Sequence, residues 1–372
     1  MNMHATCEGT LNFKDRFKNK SGIESFKENS KGLWLSTIGF GSYLGDNDVI
    51  TDINYKDALI KAVELGCNHI DTAINYRFQR SEKAIGNGIN VLLNERGIQR
   101  EEIFISTKGS YIPYELFPPK DAKSYIEENV IGKNLATPDE VIALIHCISP
   151  RFLESMIDKS LENLGISSID LYYVHNPEEQ FRAVSKEEFD TRITKVFELL
   201  EEKVAQGKIG MYGIATWNGF RLDPSQNGYL SVYEIYRIAE NVAGKNHNFK
   251  AIQLPINLAM TEAFYPRNQS IDGKPHSVLE AAWKLGIMVV ASSPLLQSRL
   301  LESLPDYVGH HMKGLDTNAQ RALQFARSLP GVTTALVGMS SIKHVEENMS
   351  VAKLPLATPN DISNLFKRHS MH

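Results

Sequence analysis

The sequence predicts an α/β fold: a closed, eight-stranded (β/α)8 barrel of the TIM type with a long insertion after the third strand and an N-terminal extension. Three observations predict it. An amphipathic stretch, a glycine and a short apolar run recur along the chain; eight such apolar runs can be found; and they mostly do not alternate apolar with polar residues. Runs of that kind suit parallel strands covered on both faces. Strands that alternate with helices imply right-handed crossovers in a parallel sheet. Eight of them favour a closed barrel over an open doubly wound sheet.

Taken in order, residues 1–32 precede the pattern, and GTLNFKDRF is compatible with a small hairpin closing one end of the barrel or with a frayed tail. Residues 33–372 read as a single domain, because no linker or low-complexity segment divides them. The first strand falls near 35–40, in LSTIGF. YKDALIKAVEL then places Ala58, Leu59, Ala62 and Val63 on one helical face. Gly66 follows as a left-handed cap, and CNHID carries the second strand near 68–71. SEKAIGNGINVLLNER runs to Gly97 before the third strand near 103–108, and FLESMIDKSLENL to Gly165 before the fourth near 169–175. The stretch from Lys186 to Gln206 ends at Gly207 before the fifth strand near 209–215, and AIQLPI forms the sixth near 251–256. Gly286 precedes the seventh near 287–292, and Gly331 the eighth near 333–337.

The spacing has one large irregularity, the insertion at about 109–150. Connections of this length in a compact domain are usually functional or disordered. Its aromatic residues and prolines argue against simple disorder, and it leaves the C-terminal end of a strand, over the mouth where barrels place their chemistry.

Bulk properties exclude classes rather than name one. The 372 residues are 42% hydrophobic and 23% charged, which is ordinary for a globular protein. Forty Lys and Arg stand against 44 Asp and Glu, so the net charge of -4 offers no footprint for nucleic acid or an anionic membrane. Cys7, Cys67 and Cys147 are an odd number without metal-like spacing, and a reducing, cytoplasmic compartment is expected. The N-terminus lacks the apolar core of a signal peptide. No apolar run reaches the roughly 18 residues of a membrane span.

Polar side chains at the C-terminal ends of buried strands are the candidates for chemistry. Asp71 ends the second strand, Tyr76 follows in DTAINY, Lys108 ends the third strand and His175 the fourth. Singly, each has a bland reading: Asp71 as a loop or cap residue, Tyr76 as a loop aromatic, Lys108 and His175 as an ion pair or satisfied polar groups. Together on one rim they suit the reduction of a carbonyl, which needs hydride at carbon and a proton at oxygen. Tyrosine ordinarily titrates near about 10 and is a poor acid at neutrality. A neighbouring cation lowers that value. Lys108 supplies the cation, Asp71 holds it, and a neutral His175 donates a hydrogen bond to the substrate oxygen.

GFGSYLG, HIDTAINY followed by SEKAIG, IFISTK, IDLYYVHNP, GKIGMYGIATW, AIQLPIN, ASSPL and ALVGMSSIKHVEEN occur in this order between about 33 and 353. In these segments the sequence resembles the aldo-keto reductase superfamily. The resemblance implies a catalytic tetrad of Asp71, Tyr76, Lys108 and His175, NADPH or NADH as hydride donor, a small carbonyl or alcohol substrate, and no metal. Beside it, Gln253 at a strand end can pair with the nicotinamide carboxamide, with Thr216 or Asn218 as a further contact. Ser292, Ser293, Leu295 and Gln297 lie where hydroxyls and backbone N–H groups can meet a pyrophosphate. Gly338, Ser340 and Ser341 precede a last helix whose N-terminus favours an anion, with Glu347 and Asn348 placed to meet adenine. Each of these also reads as a turn or cap residue.

Three positions depart from the family pattern. Ser292 stands where many members carry an aromatic ring against the nicotinamide, and Ala215-Thr216 where many carry Ser-Asn. His344 stands where an arginine commonly grips the 2′-phosphate. Histidine is mostly neutral near pH 7, so NADP(H) is expected while NAD(H) stays open. GFGSYLG also invites a dinucleotide-loop reading. Gly39, Gly41 and Gly45 miss the G-x-G-x-x-G spacing, however, and DNDVI follows in place of a clear helix. Gly41 and Ser42 are therefore expected to line the cofactor end of a barrel loop. Tyr43, Tyr111, His146 and Trp217 are candidate substrate walls, with packing as the competing role for His146. The leading expectation is a reversible carbonyl reductase. A nicotinamide-binding redox-sensor module with little turnover is the alternative, and a barrel enzyme acting on phosphorylated substrates the third reading.

Overall fold

A computed structural model describes residues 4–18, 22, 24–115, 117–302 and 304–367. Eight parallel strands close into a barrel: β1 (Ile38–Gly41), β2 (His69–Asp71), β3 (Phe104–Gly109), β4 (Ile169–His175), β5 (Ile209–Ala215), β6 (Phe249–Pro255), β7 (Met288–Ser292) and β8 (Val332–Gly338). Each pairs with its successor in sequence, and β8 pairs back with β1. The crossover helices are α1 (Val49–Glu64), α2 (Arg80–Glu95), α3 (Pro150–Leu164), α4 (Lys186–Ala205), α5 (Val232–Ala243), α6 (Val278–Lys284) and α7 (Asn318–Ser328), and α8 (Ile342–Ser350) follows the last strand.

Local chemistry explains the helix boundaries. Asp48, Ser149, Ser185, Ser231, Ser277, Thr317 and Ser341 each accept a backbone N–H in the first turn of the helix they precede. The glycines that end the recurring unit, Gly66, Gly97, Gly165, Gly207, Gly286 and Gly331, all have positive φ, between 64° and 101°. Phe104, Leu171, Tyr173, Met211, Ala251, Met288, Val290 and Leu336 form one inner cluster of buried side chains, and a second, larger cluster joins strands to helices. Among the described residues no helix is long and apolar enough to cross a membrane.

The structure differs from the sequence reading in three places. GTLNFKDRF is not a hairpin: it lies in a helix, Cys7–Phe17, capped by the Thr6 side chain. Phe13 and Phe17, four residues apart, share one helical face, and their ring centres are 4.7 Å apart. A hairpin does exist nearby, formed by Phe26–Glu28 and Trp34–Ser36. It takes the first half of the run expected as one strand at 35–40, because Thr37 donates its N–H to the Ser25 carbonyl between hairpin and barrel. DNDVI does begin a helix, since Asp48 caps α1 through the Thr51 N–H at 2.7 Å.

The insertion is folded. It holds a short helix, Ala122–Ile126, running into a wider turn, Glu127–Ile131, then a two-stranded ribbon of Val141–Ile142 and His146–Cys147. Tyr111 bridges to His146, which ties the ribbon to the end of β3.

Candidate active site

Strand register sets the rim. Gly41 lies beside Asp71, Asp71 beside Ser106, Lys108 beside Tyr173, His175 beside Ala215, Ala215 beside Gln253, and Gly338 beside Gly41. These pairings bring the strand ends to one mouth, which opens as a cleft of about 540 Å³. Asp71, Tyr76 and His175 line it, with Gly41, Ser42, Tyr43, Tyr111, Thr216, Trp217, Gln253, Ser292, Ser293, Leu295, Gln297 and Gly338.

Beneath the cleft, Lys108 is fully buried and donates to Asp71 Oδ2 at 2.5 Å and to the Thr72 carbonyl at 2.8 Å. Asp71 Oδ1 accepts from Ser106 Oγ at 2.7 Å and from Gln253 Nε2 at 3.0 Å. A buried ion pair survives only when its remaining hydrogen-bonding capacity is met, and these partners meet much of it. The Lys108 ammonium lies 5.0 Å from the centre of the Tyr76 ring. Tyr76 in turn packs edge-on against Tyr43 at 4.9 Å and His175 at 5.9 Å.

The electrostatics correct one expectation. Tyr76 is not made acidic by Lys108: burial, then the Asp71 charge, holds its phenol well above the ordinary value. The cation is already matched by the carboxylate at 2.5 Å, leaving little net field for the phenol. Burial likewise lowers the Lys108 ammonium, against the pull of Asp71. Burial, reinforced by Lys108, keeps His175 neutral well below its usual titration.

His146 does not reach the cleft. It sits behind His175: its Nε2 lies 2.8 Å from the His175 carbonyl, and its Nδ1 2.9 Å from Gln180 Nε2. A carbonyl only accepts and an amide nitrogen only donates, so these partners fix the neutral tautomer protonated on Nε2. Burial pushes both His146 and His69 down to about 4. Unfolded histidine titrates near about 6.5. The stability due to these neutral rings is therefore complete above 6.5 and lost as pH falls towards 4, by about 3 kcal/mol for each ring as an upper figure. His146→Gln should remove one ring's share. Its unfolding free energy in urea should fall less steeply between pH 6.5 and 4.5 than the parent's, and parallel slopes would refute the assignment.

Several cofactor candidates lie away from the cleft lining. Asn218 is exposed, and its N–H is directed at Glu178 Oε1. Thr216 lines the cleft, but its hydroxyl is committed to the same oxygen at 2.5 Å. Ser340, Ser341, His344, Glu347 and Asn348 flank Gly338 outside the lining. There Ser341 Oγ accepts the His344 N–H, Glu347 accepts from Thr317 Oγ1 at 2.6 Å, and Asn348 is buried. Helix capping thus uses Ser341, which the sequence left open for an anion, and a helix-to-helix contact uses Glu347, which it left open for adenine.

Sequence reasoning missed Leu44, Asn75, Asn176, Pro294 and Ser298 in the lining. It also missed how the rim is braced. Directly after Tyr76, three non-glycine residues are left-handed: Arg77 (φ 48°), Phe78 (φ 55°) and Gln79 (φ 70°). Such residues cost on the order of 1–3 kcal/mol each and persist only where surroundings over-determine them. Here the Arg77 guanidinium grips the Asp46 carbonyl at 2.6 and 2.8 Å and Asp52 Oδ1 at 2.7 Å, and Gln79 donates to the Tyr114 carbonyl. A second such run, Leu296, Gln297 and Ser298, lies on the β7 side. Arg77, three residues before α2 begins at Arg80, gives no local sign of this brace, because Asp52 lies 25 residues earlier in the sequence.

A mouth built from strand ends and their loops, holding a buried charge pair, is where (β/α)8-barrel enzymes carry their chemistry, and this chain has the form of that class. Residues 37–365 match the Aldo/keto reductase family, and the protein belongs to that family. It is similar to the aldo-keto reductase yakc [NADP(+)] of Schizosaccharomyces pombe, 31% identical over 42% of this chain and 35% of that one, so the match spans about a third of that relative's length. It is 24% identical to L-galactose dehydrogenase of Arabidopsis thaliana, over 86% of this chain and 85% of that one. A solved aldo/keto reductase from Klebsiella pneumoniae in complex with NADP and acetate shares the fold, with a TM-score of 0.60 and 20% identity over 92% of this chain and 94% of that one.

Proposed function

We propose that the protein is an NAD(P)H-dependent oxidoreductase that reduces a small aldehyde or ketone to the alcohol, reversibly, with Tyr76 giving the proton. One observation carries this reading: the buried Asp71–Lys108 pair lies beneath a tyrosine and a neutral histidine that both face the cleft. The high phenol pKa keeps Tyr76 protonated through neutrality, the form a proton donor needs. As the proton leaves, the phenolate forms beside Lys108. An ammonium has three donors, and Asp71 and Thr72 take two, leaving one for that oxygen. Neutral His175 orients the carbonyl oxygen, and Tyr43, Tyr111 and Trp217 help to exclude water.

The site fits a nicotinamide cofactor. Two buried polar atoms of lining residues, Asn75 Oδ1 and His175 Nδ1, have no partner among the described residues. A Cβ on Gly338 would meet nothing within 4 Å, which leaves room beside the α8 N-terminus. Bound nicotinamide supplies the hydride. Gln253 would hold the carboxamide through Oε1, its Nε2 being used by Asp71. Ser292, Ser293, Leu295 and Gln297 would meet the pyrophosphate, and Gly41 and Ser42 border the same end. Among the described residues no Lys or Arg lines the cleft, so hydroxyls and backbone N–H groups would carry much of that contact.

NADP(H) is the favoured form, with NAD(H) as an alternative. The names of the yeast and Klebsiella proteins refer to NADP. His344→Ala is expected to weaken NADPH binding more than NADH binding in a fluorescence titration; equal effects would refute a 2′-phosphate role for His344. The reading as a whole is tested by following NADPH and NADH oxidation with a panel of aldehydes and ketones. Turnover of at least one supports it. Cofactor binding without turnover across the panel overturns it in favour of a nicotinamide-binding sensor module.

A further inference from the structure

The turn that follows β4, Pro177–Arg182, carries a carboxylate that the hydride chemistry does not use. Glu178 Oε1 receives the Thr216 hydroxyl at 2.5 Å and the backbone N–H groups of Trp217, Asn218 and Gly219 at 3.1, 3.0 and 3.3 Å. Its Oε2 is buried without a partner among the described residues. Taking a carboxylate out of water is costly, and charge-assisted donors aimed at it offset that cost. The Thr216 hydroxyl also accepts the Gly219 N–H at 2.7 Å, which closes the turn on itself. On the other side of the same residue, Arg221 donates to the Trp217 carbonyl at 2.8 Å while paired with Glu262 at 2.8 Å. The Trp217 backbone is thus held at its N–H by an anion and at its C=O by a cation.

What this turn presents is specific. The aromatic rings of the cleft include Tyr43, Tyr76 and Tyr111, which come from the loops after β1, β2 and β3. The half built by β5 to β8 offers Ala215, Thr216, Gln253, Ser292, Pro294, Leu295 and other small or aliphatic groups; among the described residues Trp217 is its one aromatic side chain. At 37% exposure the indole is not fixed by burial, so its placement rests on the backbone beneath it.

We propose that Glu178 is a positioning residue: it fixes the turn from Thr216 to Gly219 so that the Trp217 indole forms the flat wall of the cleft on the side of β5 to β8. The inference rests on the cleft being the ligand site proposed above. A loosened turn leaves Tyr76, Lys108 and Asp71 in place, so binding suffers more than proton transfer. It also changes the motion of the indole whether or not any ligand is present, and this separates its failure from failure of the functional reading.

The test uses full-length protein in which Trp34 and Trp283 are replaced by Phe, leaving Trp217 as the only tryptophan. Glu178→Ala is expected to lower the steady-state fluorescence anisotropy of Trp217 and to raise KM for the best carbonyl substrate about tenfold, with kcat changed less than about threefold. Glu178→Gln, which keeps an acceptor but not the charge, should fall between the parent and the alanine variant on both readouts. Thr216→Val, which removes one donor and leaves the carboxylate, should lower anisotropy if the alanine variant fails to fold. A fall in thermal stability with anisotropy and KM unchanged overturns the proposal, as does a loss confined to kcat. If the protein turns over no carbonyl at all, unchanged anisotropy in Glu178→Gln and Thr216→Val still overturns it, and lowered anisotropy still supports it.

Discussion

Tyr76→Phe is expected to lower kcat for carbonyl reduction by about 10²–10⁴-fold, the range for removing a positioned general acid, with cofactor affinity within about twofold. The substitution deletes one oxygen and keeps the ring. The edge-on contacts with Tyr43 at 4.9 Å and His175 at 5.9 Å, and the approach of Lys108 to the ring centre at 5.0 Å, do not need that oxygen. Stability should therefore change little, and any loss of rate is chemical. The pH dependence follows from burial. The Tyr76 phenol is held well above its ordinary value, so reduction in the parent should stay level across neutral and mildly alkaline pH. Alcohol oxidation needs the deprotonated oxygen and should rise with pH over the same range. Steady-state rates in both directions check this. Unchanged turnover in Tyr76→Phe would exclude the phenol as proton donor.

Much of this architecture was legible because it rests on short-range patterns. Strand positions follow from apolar runs bounded by glycines, and Gly165, Gly207 and Gly286 take the positive φ that a helix-ending glycine permits. The rim follows from the same logic, since the last polar residue of a buried parallel strand points towards the mouth. The parts that were not legible depend on contacts between residues distant in sequence. Thr216 reads as a free hydroxyl beside a cofactor until Glu178, 38 residues earlier, is found to accept its hydrogen bond. His146 stays open between a pocket wall and a packing role until the ribbon is seen to turn it towards the His175 carbonyl. GTLNFKDRF has no strong period, and its helix is decided by the Thr6 cap and by Phe13 and Phe17 packing together. The expected acidity of Tyr76 failed for a related reason. A lysine in the sequence is a cation, but whether its field reaches a phenol depends on what neutralises it.

Lys108→Met should be the more damaging change to the fold. It leaves the Asp71 carboxylate buried with Ser106 at 2.7 Å and Gln253 at 3.0 Å but no cation, and it orphans the Thr72 carbonyl. Breaking a buried pair by removing one partner costs about 3–5 kcal/mol, mostly from the charge left behind. The urea midpoint should fall accordingly, and kcat by about 10²–10³-fold if the ammonium stabilises the phenolate as it forms. Stability and chemistry can be separated by a second substitution. Asp71→Asn together with Lys108→Met removes both charges and keeps a side chain that hydrogen-bonds with Ser106 and Gln253. Replacing both members of a buried pair is often near neutral, so the double variant should recover most of the lost stability. It should not recover turnover, because no cation then lies beneath Tyr76. A double variant as active as the parent would make the pair a structural device alone and would remove Lys108 from the proposed proton transfer.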